Sequence, residues 1–97
     1  MRFEWDAEKD RANQAKHGVS FEEASDLFSS GEDFLEVYDA AHSFDEDRFI
    51  AIGSTSSGVL VVVYTERRDD VIRILSARKA TKQEQKRLEN YWRGQHE

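Results

Sequence analysis

Ninety-seven residues, 38% of them apolar and none of them cysteine, suit one layered domain over residues 1–97 with little room for a deep internal cavity. The absence of cysteine excludes a disulfide framework and a thiolate metal site, and points to a cytoplasmic setting. The net charge of −6 divides unevenly: residues 1–47 hold 4 Lys/Arg against 14 Asp/Glu, and residues 48–97 hold 10 against 6. Such halves are expected to meet partners of opposite charge, unless folding interleaves them.

The opening MRFEWDAEKD is too charged for a signal peptide. The longest apolar run, Val59 to Tyr64, falls far short of the ~20 residues that span a bilayer. Phe3-Glu4-Trp5 alternates like an edge strand. Asp6 is placed to cap a helix over Ala7–His17, which Gly18 stops. That helix is polar on most sides, and Ala7, Ala12 and Ala15 offer its small apolar surface. Ser20 and Glu23 form a capping box ahead of a helix whose Phe21, Ala24, Leu27 and Phe28 make one stripe.

The period then changes from helix to strand. Phe34–Tyr38, Arg48–Ile52, Val59–Thr65 and Val71–Ala77 read as strands rich in β-branched and aromatic residues. Ser54–Gly58 and Glu66–Asp70 supply hairpin turns, and His42–Asp47 a polar connection. Val59–Tyr64 is apolar on both faces and should lie centrally. Thr81 and Glu84 open a second capping box, launching a helix with Leu88, Tyr91 and Trp92 on one face and Gly94 at its end. The order β-α-α-β-β-β-β-α predicts an α+β fold, a mostly antiparallel sheet bracketed by helices.

Arginines crowd the best strands. With period two, Ile72, Ile74, Ser76 and Arg78 share one row, and Val71, Arg73, Leu75 and Ala77 the other. Arg67 ends the row of Val61, Val63 and Thr65. A hairpin would set Arg67 and Arg78 roughly 20–25 Å apart at ~3.3 Å per residue, which makes Arg73 the better member of a compact cluster. Each arginine could instead lay its stem on the sheet and pair with a surface carboxylate. Guanidinium groups converging on a concave, solvent-reachable pocket would hold a phosphate and offset charge at a scissile linkage.

Acid–base candidates are few. Lys16 and His17 sit at a helix C-terminus that favours a cationic imidazole, or serve only as a cap. His42 lies in HSFDEDR beside Glu46 and Arg48, or is an ordinary loop histidine. The histidines lack metal-ligand spacing, so no metal is expected; GSTSSG lacks the lysine of a phosphate loop, and no nucleophile motif or cofactor signature is present. RNA cleavage needs none of these, since the substrate's own 2′-hydroxyl can attack. On the last helix Lys82, Lys86 and Arg93 fall within about 40° of one another, with Arg87 off that stripe. They form either a solvated face or a rail for a nucleic-acid backbone.

Three blocks, FEWDAEKDRANQAKHGVSFEEA, HSFDEDR and VVVYTERRDDVIRILSARKAT, resemble in order the BrnT-type toxins of bacterial toxin–antitoxin modules. The resemblance covers nearly the whole chain. It implies a compact fold similar to the RelE-like toxins and a metal-independent ribonuclease that arrests translation. It also implies a BrnA antitoxin, a ribbon-helix-helix protein that silences the toxin. The two would form a hetero-oligomer, 2:2 being one arrangement, that reaches operator DNA through the antitoxin and has no membrane association. Matching stretches include Lys16 and His17, His42, Arg67, and Arg78 with Lys79. On this resemblance Arg67 and Arg78 are assigned to phosphate and transition-state charge, and Lys16, His17 and His42 to proton transfer or phosphate contact; Lys79 is expected to bind RNA, together with Arg73 from its place mid-strand and Lys82 and Lys86 from the helix face. A non-enzymatic component that docks a partner and, through it, an operator is the alternative reading.

Overall fold

The computed structural model describes residues 1–95. Its elements follow the expected order: β1 (Arg2–Glu4), α1 (Ala7–His17), α2 (Phe21–Ser29), β2 (Leu35–Tyr38), β3 (Phe49–Thr55), β4 (Gly58–Arg67), β5 (Val71–Lys79) and α3 (Lys82–Gln95). Short 3₁₀ turns at Ala40–His42 and Arg68–Asp70 precede β3 and β5. The sheet order is β1-β5-β4-β3-β2, with β1 parallel to β5 and every other pair antiparallel. An edge strand that runs parallel needs a long crossover, and α1 and α2 lie within it.

Local chemistry sets the helix starts. The Asp6 carboxylate accepts from the Glu8 and Lys9 amides at 2.9 and 3.0 Å, and Gly18, at φ 70°, returns its N–H to the Gln14 carbonyl. Ser20 and Glu23 complete the first capping box, and Thr81 and Glu84 the second. The terminal helix continues through Gly94 to Gln95. A glycine inside a helix weakens it by only about 1 kcal/mol and need not end it. The strands also outrun expectation: β3 and β4 close on a two-residue turn, Ser56-Ser57, with Thr55 opposite Gly58. β1 is Arg2–Glu4, so Trp5 lies just beyond it.

Helices α1 and α2 cover one face. Phe21, Ala24 and Leu27 of α2 are buried against Leu60, Val62, Tyr64, Ile72 and Ile74. The approach of α2 is close enough that a Cβ on Gly53 would meet Leu27 Cγ at 2.8 Å. Helix α3 packs on the opposite face, where Leu88 is buried with Ile52 and Val61 and flanked by Tyr91 and Trp92. The Trp92 indole N–H donates to the Asp33 carbonyl at 2.8 Å. Strand β4 is central and apolar on both sides, as its alternation requires.

Two expectations are corrected. The alanines of α1 do not attach it, since Ala7, Ala12 and Ala15 are all exposed. The anchor is Asn13, which is buried. Its Nδ2 donates to the Val19 and Ala77 carbonyls at 2.8 Å each, and its Oδ1 accepts from the Ala77 amide at 3.2 Å. β1 follows the outer edge of β5 only as far as Arg73. Beyond that point the Asn13 carboxamide stands in for a neighbouring peptide and satisfies backbone groups that burial would otherwise strand.

The second correction concerns the rows of β5. Val63 pairs with Ser76 but Tyr64 pairs with Ile74, which leaves Leu75 as a bulge. One extra residue reverses the parity of everything after it. Ala77 therefore joins Ile72 and Ile74 in the core against α1 and α2. Ser76 and Arg78, opposite Val63 and Val61, move to the face that carries Arg73 opposite Thr65. Lys79, opposite Leu60, is turned away from Arg78.

Candidate active site

Helix α3 covers one end of its face, and the loop before β3 reaches the other, where the buried Thr65 hydroxyl donates to the Asp47 carbonyl at 2.8 Å. Beside the helix a hollow of about 170 Å³ has a floor of Val37, Ile50, Ile52, Val61 and Val63, with Ser76, Arg78, Glu84 and Arg87 at its rim. Arg78 is firmly held there. Its Nη1 and Nη2 donate to the two Glu84 carboxylate oxygens at 2.7 and 2.8 Å. Glu84 also accepts from the Thr81 amide at 2.9 Å, so one carboxylate both caps α3 and clamps the arginine. The Arg78 guanidinium holds the Glu84 carboxyl down at about 2, against the opposing effect of burial. The same pairing raises Arg78 above its ordinary value.

At the other end of the face the partners are looser. Parallel pairing sets Glu4 opposite Arg73. Its Oε1 lies 3.4 Å from Arg73 Nη1 and 3.8 Å from Arg67 Nε. Arg67 also reaches Glu46 at 3.7 Å. Glu46 belongs to the loop after the first 3₁₀ turn, where it lines a hollow of about 110 Å³ with His42, Phe44, Asp45 and Arg48. The His42 Nδ1 sits 3.0–3.1 Å from both carboxylate oxygens of Asp39. Arg48 is half-buried, and its Nε is enclosed with no hydrogen-bond partner among the described residues. Two sets of contacts result, Asp39–His42 and Glu46–Arg67–Glu4–Arg73, and His42 and Glu46 line one hollow between them.

The remaining candidates lie elsewhere. Lys16 and His17 border a shallow hollow of about 240 Å³ with Ala12, Asn13, Leu75 and Ser76, at the outer edge of β5. Lys82 and Lys86 are exposed and outside the groove lining. Arg67 and Arg78 stand at opposite ends of the ladder, opposite Val71 and Val61, about 20 Å apart at ~3.3 Å per residue. No one hollow among the described residues therefore gathers all the arginines. One face carries two patches, with Arg67 and Arg73 together and Arg78 apart. Arg87, set aside by the helix-stripe reading, is at the groove because its place three residues after Glu84 brings it to the same side. Glu4 and Asp39 escaped the sequence reading; Asp39 carried one faint signal, its spacing of three from His42.

Among the described residues no group of three or more His, Asp or Glu side chains is gathered to hold a metal ion. No helix among them is long and apolar enough to cross a membrane.

Fold and site together define a class: a small α+β protein whose sheet is closed by two helices on one face and set with arginines around an apolar floor on the other. A family profile described as "Ribonuclease toxin, BrnT, of type II toxin-antitoxin system" matches residues 5–84. The chain belongs to this BrnT family of ribonuclease toxins. It is also similar to the crystal structure of the Brucella abortus ribonuclease toxin BrnT, with a TM-score of 0.66 and 25% sequence identity over 84% of this chain and 99% of that one. No curated protein gives a significant match. Membership of a type II toxin–antitoxin family implies an antitoxin as partner.

Proposed function

We propose that residues 1–97 form a single toxin domain that cleaves RNA without a metal ion, arresting translation in the cytoplasm until a BrnA-type antitoxin silences it. The observation that carries this reading is the shared carboxylate of Glu4, 3.4 and 3.8 Å from Arg73 and Arg67. Exposed pairs this long are worth about 0–1 kcal/mol. A phosphodiester, matching the guanidinium forks, displaces the carboxylate readily.

The substrate supplies its own nucleophile. His42, oriented through Nδ1 by Asp39, takes the 2′-hydroxyl proton on Nε2. The bond from the 2′-oxygen to phosphorus forms as the bond from phosphorus to the 5′-oxygen breaks, and that oxygen takes a proton from solvent. The products are a 2′,3′-cyclic phosphate and a 5′-hydroxyl. Arg67 and Arg73 offset the charge that grows on the non-bridging oxygens. The RNA continues across the face to Arg78 and Arg87, while Lys16 and His17 meet it at the β5 edge. Lys79, Lys82 and Lys86 contribute through the longer-range field. The antitoxin, a ribbon-helix-helix protein, joins the toxin in a hetero-oligomer and contacts operator DNA on its behalf.

The test is RNA cleavage by purified protein in chelator. Wild type is expected to cut. Arg67→Ala, Arg73→Ala and His42→Ala should each lose about 10²-fold with circular dichroism unchanged. Unchanged cleavage in all three variants overturns the site. Absence of cleavage by wild type leaves a protein-binding component without enzymatic activity.

A further inference from the structure

The β2 edge of the sheet carries a feature the ribonuclease reading does not use. The Asp39 amide donates to the Arg48 carbonyl at 2.9 Å, and Val37 pairs with Ile50 and Leu35 with Ile52. In an antiparallel ladder these are the residues whose peptide groups face β3. Glu36 and Tyr38 consequently turn their N–H and C=O groups outward, along an edge that no described strand covers. On it stands Tyr38, half exposed, and the loop that follows β2 carries Phe44, 87% exposed, at the hollow of His42 and Arg48. The Phe44 loop is braced from within: the Ser43 hydroxyl donates to the Asp39 carbonyl at 2.6 Å and accepts from the Arg48 amide at 2.9 Å. An aromatic ring is thus presented to solvent by an ordered support.

Charge selects the occupant. Residues 17–47 contain 10 Asp/Glu and no Lys or Arg, and Glu36, Asp39, Asp45 and Asp47 lie on this edge or its loop. An RNA strand laid along β2 itself is repelled by such a strip, whereas at the His42 hollow Arg48 and Arg67 stand beside Glu46 and offset its charge. A second copy pairing edge to edge would bring the same carboxylates together, the device that natural edges use against self-association. A basic polypeptide meets neither obstacle.

We infer that the β2 edge binds an extended, lysine- or arginine-rich segment of the antitoxin as a sixth strand, with an apolar side chain of that segment against Phe44 and Tyr38. This rests on the antitoxin partnership proposed above. It also supplies a means of silencing, because a chain laid on this edge runs past the hollow of His42 and Arg48 and closes it to RNA.

The experiment uses the full-length chain and the antitoxin encoded beside it. Amide hydrogen exchange is followed in the free and bound protein, and affinity is measured for wild type and for the double variant Phe44→Ser, Asp45→Lys. The Glu36 and Tyr38 amides are expected to exchange at least tenfold more slowly in the complex. The double variant should bind at least tenfold more weakly, with an unchanged melting temperature. A complex of wild-type affinity in the variant, with those amides unprotected, overturns the edge site and leaves the antitoxin partnership standing. If no complex forms, both fall. Self-association of the free chain through β2, or protection of the Glu36 and Tyr38 amides by RNA alone, overturns the assignment of a basic peptide as occupant.

Discussion

Two arginines on one sheet face illustrate how much a partner's geometry matters. Arg67 leans on carboxylates at 3.7 and 3.8 Å and remains available. Arg78 is clamped by two short bonds to Glu84 and donates a second Nη1 hydrogen to the Lys79 carbonyl at 3.3 Å, which leaves its Nε–H and one further Nη2 hydrogen for a ligand. Glu84 ordinarily titrates near 4.5 but is held at about 2 in the folded protein. A depressed carboxylate stabilises the fold above its ordinary value, and the benefit is lost as pH falls through the folded one. Glu84→Gln keeps an acceptor for Thr81 but removes the charge. The variant should therefore unfold at lower urea than wild type at neutral pH. The gap should close as pH falls from 4.5 toward 2, as read by urea midpoints across that range.

At the scale of elements, α1 is fixed to the sheet by polar chemistry and α2 by close packing. Replacing Asn13 with Ala strands the buried Ala77 peptide groups, at about 1–3 kcal/mol for each unsatisfied group. Asn13→Asp is expected to be no better, since a carboxylate cannot donate to the two carbonyls that Asn13 Nδ2 serves. Both should lower the urea midpoint by an amount equivalent to about 2–3 kcal/mol. Gly53→Ala tests the packing of α2. A methyl group there meets Leu27 and Phe34 at 2.8–2.9 Å, and over-packing of that kind costs about 1–3 kcal/mol.

Across the whole molecule, charge follows the division of the chain. The acidic half forms α1, α2, β2 and the loop after it; the basic half forms β3 to β5 and α3. The arginines on the α3 face thus look away from the carboxylates of α2, while α1 carries three Lys/Arg against two Asp/Glu, and the contrast steers a polyanion toward the arginine face. If RNA lies across Arg67, Arg73, Arg78 and Arg87, log affinity should fall with log salt at a slope of about −3, each contact to a single strand contributing about −0.7. Arg78→Ala with Arg87→Ala should flatten that slope by about 1.4. A slope unchanged in the double variant would show that the groove beside α3 lies off the RNA path.

The caps at Asp6, Ser20 and Thr81, the order of the elements, the α+β class and the central place of Val59–Tyr64 were all determined by the sequence. Each depends on residues within a few positions of one another, where propensity and hydrogen-bonding capacity act directly. The family resemblance was legible in the same way, from contiguous stretches. Tertiary structure alone decided where the arginines stand and what they touch. The bulge at Leu75 turns Arg78 onto the face of Arg73 and sends Lys79 to the other. Parallel pairing of β1 delivers Glu4 to Arg67 and Arg73, and the β5 edge recruits Asn13. Such outcomes depend on which backbone groups a distant strand leaves unpaired, and pairing between strands far apart in sequence is settled by the register of the assembled sheet.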